Sequence, residues 1–451
     1  MPTEGGNNLN TTVKEVLDFV KENDIKFIRL AFCDLLGRQK NIAIMAEELP
    51  NAFSNGVSFD AHAIKGFKDI VESDLLLFPD PTTLAILPWR PGTGRVARFY
   101  CEMKNPDGSP FLDDGRAILR RISQRADKMG YTCKVNAECE FYLFKTDANG
   151  MPTSEPLDRG SYLDMAPLDK GENVRREICL TLAEMNVAPE ASRHEHGPGQ
   201  NAVDFKLGDA LEAADNLQTL KTVVKAISDK NGLFASFMPK PILGMAGSGL
   251  HINLSLNKNG RNAFCTEKKG SESGMSEIAN SFIAGILTRV AEMTLFLNPI
   301  ANSYERLGKF EAPKYISWSN FNRAQLIRIP AGEGEKVRME LRSPDPAVNP
   351  YIAYALIIAA GLDGIEQKLT LPAPVNVDLF SADSAITKKL ARLPDSLDEA
   401  ITLAKKSDFV KSVVGATVLA KFADIKSQEA DDFHKASDRA EFYNTRYFGV
   451  Y

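Results

Sequence analysis

Four short segments carry reactive side chains at every second position, a spacing that places them on one face of a β-strand. The segments are NAECEFYLF (136–144), GLHINLSL (249–256), VRMELRS (337–343) and NAVDF (201–205). Two carboxylates share a face in the first, and an imidazole marks the second. The third combines two guanidiniums with a carboxylate. The faces comprise Glu138, Glu140 and Tyr142; His251, Asn253 and Ser255; Arg338, Glu340 and Arg342; and Ala202 with Asp204.

A polar strand face is often the wetted side of an antiparallel sheet, and for any one strand that interpretation stays open. The content of these faces together indicates more. Adjacent carboxylates repel each other unless a cation lies between them, and carboxylates with an imidazole suit Mg²⁺ or Mn²⁺. Guanidinium groups bind phosphate oxygens in a bidentate geometry. Divalent ions beside arginines are typical of phosphoryl transfer.

A further segment, RHEHGPGQNAVDFK (193–206), concentrates polar groups ahead of a Gly-Pro-Gly turn. His194, Glu195 and His196 precede the turn, and their side chains are all of ligand type. Ala202 follows it, at a position where the alternation favours a polar side chain. The segment therefore combines an excess of candidate ligands with one unexpected small residue.

Composition limits the possible functions. With 451 residues the chain exceeds the usual size of one domain, so two domains are expected. A net charge of −5 and a pI near 5.8 favour neither a nucleic acid nor a membrane surface as partner. No signal peptide is evident, and the longest strongly apolar run, 351–362, is shorter than the ~20 residues that span a bilayer. Six cysteines without a CxxC pair fit reduced thiols in a cytoplasmic protein.

The elements that position the reactive strands follow from periodicity. A small α+β unit comes first: a helix that Thr11 or Thr12 caps, then strands at 26–32 and 40–45. Turn formers crowd 104–110, which predicts a domain boundary near residue 105. Apolar periodicity predicts later helices, between which the reactive strands lie, at about 172–186, 209–232, 274–296, 347–368, 395–407 and 417–436.

In these motifs the chain resembles the glutamine synthetase family, in particular its type I bacterial enzymes. The resemblance covers nearly the whole length, and eight segments carry it in the family's order, which makes it specific. They are SFDAHAIKGF (58–67), NAECEFYLF, SYLDMAP (161–167), HEHGPGQNAVDF (194–205), FMPKPILGMAGSGLHINLSL (237–256), NSYERLGKFEAP (302–313), NRAQLIRIP (322–330) and RMELRSPDPAVNPYIAYALIIAAGLDGI (338–365).

The resemblance implies an α+β fold: an N-terminal β-grasp domain, 1–105, and a catalytic domain, 106–451, with a curved antiparallel sheet flanked by helices. It also implies a homo-dodecamer whose active sites are shared between subunits. In the family's reaction, ATP phosphorylates the γ-carboxylate of glutamate, and ammonia then displaces phosphate from the γ-glutamyl phosphate. ATP is therefore the expected co-substrate, and Mg²⁺ or Mn²⁺ the expected cofactor.

The family's metal ligands, carried over position by position, imply two divalent ions. A nucleotide-side ion would be bound by Glu138, His251 and Glu340. A substrate-side ion would be bound by Glu140 and Glu195, and its third family ligand, a glutamate, aligns with Ala202. Water can fill such a position, but the lost charge is expected to weaken binding. A glutamate at 202 is therefore expected to tighten it.

The same resemblance implies further roles. Asp60, from a neighbouring subunit, matches the residue that deprotonates ammonium, and Glu311 matches the flap glutamate. Phosphate and nucleotide contacts are expected from Arg323, Arg328, Arg338, Asn253 and Ser255. Contacts with glutamate or a related acid, the phosphoryl group and ammonium are expected from Arg306, Gly247, Arg342, Tyr162 and Glu195. His194 is expected to support the ligands without binding an ion, and His196 to lie in a loop.

The chain departs from the family pattern mainly at the acceptor end of the site. Besides Ala202, an alanine at 246 replaces the asparagine that helps hold the backbone groups of glutamate. The ammonium loop is Asp-Ala-His-Ala (60–63) instead of Asp-Gly-Ser-Ser, and the flap segment 306–311 is one residue shorter. The nucleotide-side residues match, which indicates altered acceptor chemistry or reduced activity, with nucleotide binding retained. Phe380 stands where some members carry an adenylylated tyrosine, so that control is expected to be absent.

Three functions stay open on the sequence. The first is ATP-dependent formation of an amide from glutamate and ammonia. The second is a γ-glutamyl ligase for a larger amine or a different acid, with a pocket reshaped by His62, Ala63 and Ala246. The third is a nucleotide-binding homologue with weakened catalysis and a regulatory or structural role.

Overall fold

A computed structural model describes residues 12–266 and 275–451 of the chain. They form two compact units: the first ends at Ala117 and includes Glu184–Asn186, and the second comprises Ile118–Ala183 and Val187–Tyr451. Both units contain a sheet together with helices, so the predicted α+β class is confirmed.

The first unit contains two helices and a six-stranded sheet. Its elements are α1 (Val13–Glu22), β1 (Ile25–Cys33), β2 (Gln39–Met45), α2 (Leu49–Asn55), β3 (Val57–Asp60), β4 (Asp74–Pro79), β5 (Ala85–Ile86) and β6 (Arg95–Lys104). The strand order is β2-β1-β6-β4-β3, with β5 on β6; β1 runs parallel to β6 and antiparallel to β2. A capping box of Thr12 and Glu15 begins α1.

The second unit is organised by an eleven-stranded sheet. Its elements are α3 (Gly115–Lys128, whose first residues belong to the first unit), β7 (Thr132–Thr146), β8 (Pro152–Pro156), α4 (Glu172–Glu184), β9 (Pro189–His194), β10 (Gln200–Phe205), β11 (Gly208–Asp209), α5 (Ala210–Lys230), β12 (Leu233–Ser236), β13 (Leu250–Lys258), β14 (Arg261–Asn262), α6 (Glu277–Leu297), β15 (Trp318–Asn320), β16 (Ile327–Ile329), β17 (Met339–Leu341), α7 (Pro350–Glu366), α8 (Ser384–Thr387), α9 (Leu397–Lys406), α10 (Asp408–Val414), α11 (Ala416–Lys435) and α12 (Arg439–Tyr443).

The sheet of the second unit has the order β15-β16-β17-β13-β7-β10-β9. Every described pairing in it is antiparallel except that of β15 with β16. β7 is central: β13 and β10 flank it, and the short strands β8, β11 and β12 also pair with it. Because cross-strand neighbours share a face, this arrangement aligns the reactive faces of β10, β7, β13 and β17.

Helices α6 and α7 form much of the core beside this sheet. They approach closely because glycines lie at the crossing: a Cβ on Gly285 would lie 2.1 Å from the carbonyl oxygen of Ala360, and one on Gly364 2.1 Å from that of Ser281. By length and composition α6 could cross a membrane, but 67% of its most apolar window is buried within the fold. α6 is therefore a core helix.

The sequence-based element predictions differ from the structure mainly at element ends. The six later helices are present within a few residues of their expected bounds. Two expected details, the alternative cap Thr11 and the helix start at 274, lie outside the described residues. The strand expected over 337–343 is limited to Met339–Leu341, so Arg338 and Arg342 flank it.

Candidate active site

Strand register brings three predicted ligands together. β13 lies between β7 and β17, and the pairing places His251 opposite Glu138 and Asn253 opposite Glu340. The Nδ1 atom of His251 lies 3.7 Å from Glu138 Oε2 and 3.5 Å from Glu340 Oε1. Ligand atoms of Glu138, His251 and Glu340 all lie within 4.8 Å of one another. We term these three residues the nucleotide-side cluster.

The other two predicted ligands lie next to this cluster. Glu140 and Glu195 have ligand atoms within 4.8 Å of each other and of Glu138. Glu140 is fixed by its Oε2 atom, which accepts hydrogen bonds from the backbone NH of Gly249 at 2.7 Å and from Gln200 Nε2 at 3.0 Å. All five predicted metal ligands are thus gathered in one place, although their roles stay predictions.

Arg193, which sequence reasoning did not select, lies among these carboxylates. Its Nε atom lies 2.6 Å from Glu195 Oε1, its Nη1 atom 2.6 Å from Asp204 Oδ2, and its Nη2 atom contacts Glu138 Oε1. Each guanidinium nitrogen therefore contacts a different carboxylate. We term Arg193, Glu140, Glu195 and Asp204 the acceptor-side cluster.

The neighbouring strands explain how Arg193 reaches this position. β9 pairs with β10 so that Arg193 lies opposite Ala202, and β10 pairs with β7 so that Ala202 lies opposite Glu140. The side chains of cross-strand partners point to the same face, so the small alanine leaves room for its long neighbour. A signal for this existed in the sequence: Arg193 is two residues before Glu195, the spacing that a strand uses for one face.

Two arginines hold Glu340 from the other side. Nη1 of Arg328 lies 2.6 Å from Glu340 Oε2, and Nη1 of Arg342 lies 2.6 Å from Glu340 Oε1. Burial alone would raise the pKa of Glu340, but Arg342, His251 and Arg328 lower it below its ordinary value. Glu340 is therefore held as a carboxylate.

In the acceptor-side cluster, the pKa values of two carboxylates are raised above their ordinary values instead. Burial, then repulsion from Glu140 and Glu138, raises the pKa of Glu195, although Arg193 opposes the rise. Burial and the nearby Glu138 likewise raise the pKa of Asp204, to about 6. The cluster thus contains more negative charge than its one guanidinium neutralises.

A cavity of about 520 Å³ opens over both clusters. Its lining includes most of the predicted site residues: Glu138, Glu140, Tyr162, Glu195, Gly247, His251, Arg306, Glu311, Arg323, Arg328, Arg338 and Arg342. Arg193, Gln200, Asp204, His196 and Ala246 line it as well. Carboxylates, an imidazole and arginines are thus exposed to one enclosed volume, as phosphoryl transfer requires.

Comparison with known proteins places this chain in a family. The family model for the glutamine synthetase catalytic domain matches residues 112–445, and the model for the glutamine synthetase beta-Grasp domain matches residues 24–106. The chain belongs to the glutamine synthetase family. The expected β-grasp domain and catalytic domain are thereby confirmed as the two family domains of this chain.

Individual relatives agree with the family assignment. A glutamine synthetase of Methanosarcina mazei is 48% identical over 94% of this chain and 95% of its own length. One of Clostridium saccharobutylicum is 46% identical over 94% of this chain and 96% of its own length. Among solved structures, a GmaS/ADP complex superimposes with a TM-score of 0.86 at 30% identity, covering 96% of this chain and 99% of that chain.

At the acceptor end of the site, two alanines stand where the glutamine synthetase pattern has other residues, and these alanines differ from each other in exposure. Ala246 lines the cavity, and its carbonyl oxygen accepts a hydrogen bond from the hydroxyl of Tyr142. Ala202 is fully buried and is not part of the lining. The space that a glutamate at 202 would need is therefore not an opening in the cavity wall.

The predicted substrate contacts differ in how firmly they are held. Arg306 is buried, and its guanidinium donates to the backbone carbonyl oxygens of Ser343 at 2.8 Å and Arg342 at 3.1 Å. Tyr162 stacks on His196, with ring centroids 4.7 Å apart, so the loop that was expected to contain His196 contributes an aromatic wall. Glu311 is exposed and has a φ of 66°, a left-handed conformation that is uncommon outside glycine.

His194 supports Glu195 from behind. Its Nε2 atom lies 2.9 Å from Asp158 Oδ1 and its Nδ1 atom 2.7 Å from the carbonyl oxygen of Glu195. Burial would lower the pKa of His194, but the contacts with Asp158 and with the carbonyl oxygen of Glu195 raise it overall. Asp158, Asp169 and His194 form a further compact group, in which Arg175 pairs with Asp169, so its charges are matched internally.

Four predicted site residues do not line the cavity, and one of them is Glu340, whose carboxylate Arg328 and Arg342 hold. Asn253 accepts a hydrogen bond from Arg338 Nε at 3.0 Å, and Arg338 itself lines the cavity. Ser255 is buried beside Lys134 in the register of β13 with β7. Asp60 is exposed at the end of β3 in the first unit, where its carboxylate accepts from the backbone NH of His62. Their roles stay predictions.

Proposed function

We propose that this chain joins ammonia to the γ-carboxylate of glutamate through a γ-glutamyl phosphate, with conversion of ATP to ADP and phosphate. As a member of the glutamine synthetase family, the chain is an ATP-dependent carboxylate–amine ligase. The observation that carries the proposal for this site is the convergence of carboxylates, imidazoles and several arginines on a single cavity.

The chemistry has two balanced steps. An oxygen of the γ-carboxylate attacks the terminal phosphorus of ATP, the bond to ADP breaks, and an acyl phosphate forms. The nitrogen of ammonia, after loss of a proton from ammonium, then attacks the acyl carbon, and phosphate leaves. The first step converts a poor electrophile into one with a good leaving group, so the site must stabilise charge on phosphoryl oxygens.

The nucleotide-side cluster fits a resident Mg²⁺ or Mn²⁺ ion. Among the described residues, the buried Nδ1 atom of His251 has no hydrogen-bond partner, although it faces two carboxylates. An orphaned nitrogen in this setting is explained by a ligand that the side chains would share. Glu138, His251 and Glu340 would hold the ion, which would neutralise charge on the phosphate oxygens of ATP.

The arginines of the cavity supply fixed positive charge for the phosphates. Arg342 is held by Glu340 and by the carbonyl oxygen of Arg323, to which its Nε atom donates at 3.1 Å. We assign the transferred phosphoryl group to Arg323 and Arg342, and the nucleotide to Arg328 and Arg338. The solved GmaS/ADP complex, to which this chain is similar, supports nucleotide binding by this fold.

The acceptor end would hold glutamate and ammonium. Arg306 and Gly247 would contact the amino acid; a Cβ at 247 would lie 2.5 Å from the carbonyl oxygen of Pro239, so only glycine fits there. Tyr162 and Glu195 would border the ammonium position, and Glu311 would close over it. Asp60 would complete the site from a neighbouring subunit.

A shared site of this kind requires assembly, and we propose a homo-dodecamer. We further propose a cytoplasmic location, which the lack of a CxxC pair among the six cysteines supports. The expected partners are small molecules only: ATP, glutamate or a related acid, and ammonia or an amine.

The test is phosphate release from ATP by the purified full-length chain with glutamate and ammonium, in Mg²⁺ and separately in Mn²⁺, with glutamine measured by mass spectrometry. We expect release that requires all three substrates and matches glutamine one to one. Nucleotide binding without glutamine formation under either ion would contradict the proposal.

The second candidate function is ligation of a larger amine to glutamate. It is favoured because Ala246 lines the cavity at a position where the family has an asparagine. The same assay with methylamine, ethylamine and putrescine separates the two. A ratio of kcat to KM that is higher for any of these amines than for ammonium would favour the second candidate.

A weakened homologue is the third candidate, and the ion pairs of Arg193 within the ligand set favour it. It predicts ADP and ATP binding by calorimetry without phosphate release for any acid or amine tested.

A further inference from the structure

The guanidinium of Arg193 lies where the carboxylates of the acceptor-side cluster converge. Its three nitrogens contact Glu138, Glu195 and Asp204 separately, two of these contacts at 2.6 Å. The Arg193 side chain is 17% exposed and that of Glu195 is 7% exposed, so solvent screens the pairs only weakly. A buried charge in such contacts is an integral part of the site.

The neighbourhood of Ala202 shows how the arginine is accommodated. Ala202 lies between Arg193 on β9 and Glu140 on β7, all three on one face of the sheet, and Ala202 is fully buried. A glutamate at 202 would direct its carboxylate into the same face. The position therefore has an arginine beside it and lacks the acidic side chain that would otherwise help hold an ion.

The remaining donors do not fit a substrate-side divalent ion. One Glu195 oxygen and one Glu138 oxygen are bonded to Arg193. Glu140 Oε2 accepts from Gln200 and from the backbone NH of Gly249. A divalent ion placed here would have to displace a guanidinium that cannot lose its charge, and like charges so close repel strongly.

Charge neutrality leads to the same conclusion. Five carboxylates form the two clusters: Glu138, Glu140, Glu195, Asp204 and Glu340. Three guanidiniums are hydrogen-bonded to them, those of Arg193, Arg328 and Arg342. When all five carboxylates are ionised, two negative charges remain, which one divalent ion matches, and a second ion would leave the combined clusters positive.

We infer that Arg193 takes the place of the substrate-side metal ion, so that each protomer binds one divalent ion, at the nucleotide-side cluster. The inference rests on the proposed function, since it concerns how that active site is charged. A guanidinium has five N–H donors and no open coordination position, so the acceptor end would bind its substrates by hydrogen bonds and fixed charge alone.

The test counts bound Mn²⁺ per protomer in the full-length protein, without nucleotide, from the electron paramagnetic resonance signal of free Mn²⁺. We expect one ion for the wild type and for Ala202→Glu, because Arg193 remains in place. This result differs from the expectation on sequence alone, which was tighter binding for Ala202→Glu. Arg193→Gln frees the carboxylates and should raise the count to two, as should Arg193→Gln combined with Ala202→Glu.

Two further variants separate charge from fold. Arg193→Lys keeps a cation at this position, so the variant protein should bind one Mn²⁺ ion and keep its melting temperature. This variant still tests the inference if Arg193→Gln fails to fold. Arg125→Gln is the matched control: Arg125 pairs with Asp363 and Glu366 away from the cavity, so its removal frees two carboxylates but should leave the count at one.

Two tight Mn²⁺ ions in the wild type would overturn the inference, as would a count that stays at one in a folded Arg193→Gln protein. The assay involves no turnover, so it separates from the proposed function. One bound ion without glutamine formation would contradict only the proposed function. Two bound ions with glutamine formation would contradict only the inference about Arg193.

Discussion

The two clusters of the cavity use the same sheet and the same kinds of acid but differ in how their charge is balanced. In the nucleotide-side cluster, His251 faces Glu138 and Glu340 with an unpartnered nitrogen, and arginines hold Glu340 only from outside. In the acceptor-side cluster, a guanidinium lies among the carboxylates themselves. On our proposal, one half thus keeps a position for an exchangeable cation, and the other carries the permanent cation of Arg193.

This difference shows how little sequence change can alter a metal site. Register fixes which side chains meet across a sheet, so a residue pair such as Arg193 and Ala202 acts as a unit. A long cation beside a small neighbour can reach carboxylates that would otherwise need an ion.

The largest effect should come from removing the imidazole of the nucleotide-side cluster. His251→Ala removes one of three ligands, and even groups behind metal ligands typically change affinity about 10- to 100-fold. We expect no Mn²⁺ binding in the concentration range where the wild type saturates, and loss of ATP-dependent phosphate release. Electron paramagnetic resonance and the phosphate assay measure both.

His434→Ala is the control for that change. His434 is exposed and pairs with Asp398 at 3.0 Å on the surface of the same unit. Its removal should alter neither readout. Full Mn²⁺ binding by a folded His251→Ala protein would break the comparison, because the two clusters would then no longer differ in their use of an ion.

How much of this site the sequence could predict depends on what strand alternation encodes. It encodes faces, so Glu138, Glu140, His251 and Glu340 were correctly expected to point to one side. It does not encode how far a face extends along the cavity. Ser255 shares its face with His251 but lies four residues on, about 13 Å along the strand, and is buried outside the lining.

The sequence also does not encode the register with which neighbouring strands pair. The sequence showed that Ala202 breaks a polar pattern, but only the pairing of β9 with β10 shows which side chain lies next to it. Likewise, nothing in the composition of the flap segment indicates that Glu311 adopts a positive φ. Fold class and domain order, in contrast, follow from motifs distributed along the chain.

The next largest effect concerns the arginine that holds the nucleotide-side cluster. Arg342 and Glu340 are 2% and 3% exposed, and removal of one partner from a buried pair typically costs about 3–5 kcal/mol. In urea unfolding, we expect Arg342→Met to lower the free energy of unfolding by about 3 kcal/mol. The loss lies at the lower end of that range because Arg328 still pairs with Glu340. Arg125→Met, at a more exposed site, should cost less than about 1 kcal/mol. Equal losses of unfolding free energy in Arg342→Met and Arg125→Met would contradict the role given to burial of the Arg342–Glu340 pair.

A pH dependence should mark the acceptor side. The pKa of His194 is raised in the folded protein, so its stabilisation is complete below the unfolded value of about 6.5 and is lost as pH rises through the folded value. The pKa of Asp158 is lowered to about 2 although burial opposes this, so its contribution is present above about 3.9 and is lost as pH falls toward 2.

The unfolding free energy should therefore contain a contribution that is largest between about pH 4 and 6.5. Urea unfolding at fixed protein concentration across pH 4 to 9 measures it. Asp158→Asn should remove the decline above pH 6.5, because the neutral amide no longer favours the imidazolium. A decline of the same size in Asp158→Asn would assign it to another group.

The smallest effect should come from Ala246→Asn, which sharpens the comparison by restoring one acceptor-side group. The new amide would project from a loop residue that lines the cavity next to Gly247, and one added hydrogen bond is worth about 1 kcal/mol, or roughly fivefold in affinity. We expect the KM for glutamate to fall about fivefold while the KM for ATP stays unchanged. Ala331→Asn, at another alanine of the lining, two residues after β16, is the matched control and should leave the KM for glutamate as it is. Equal shifts in both KM values would mean that the two halves of the cavity are coupled, and the separation of a nucleotide side from an acceptor side would then fail.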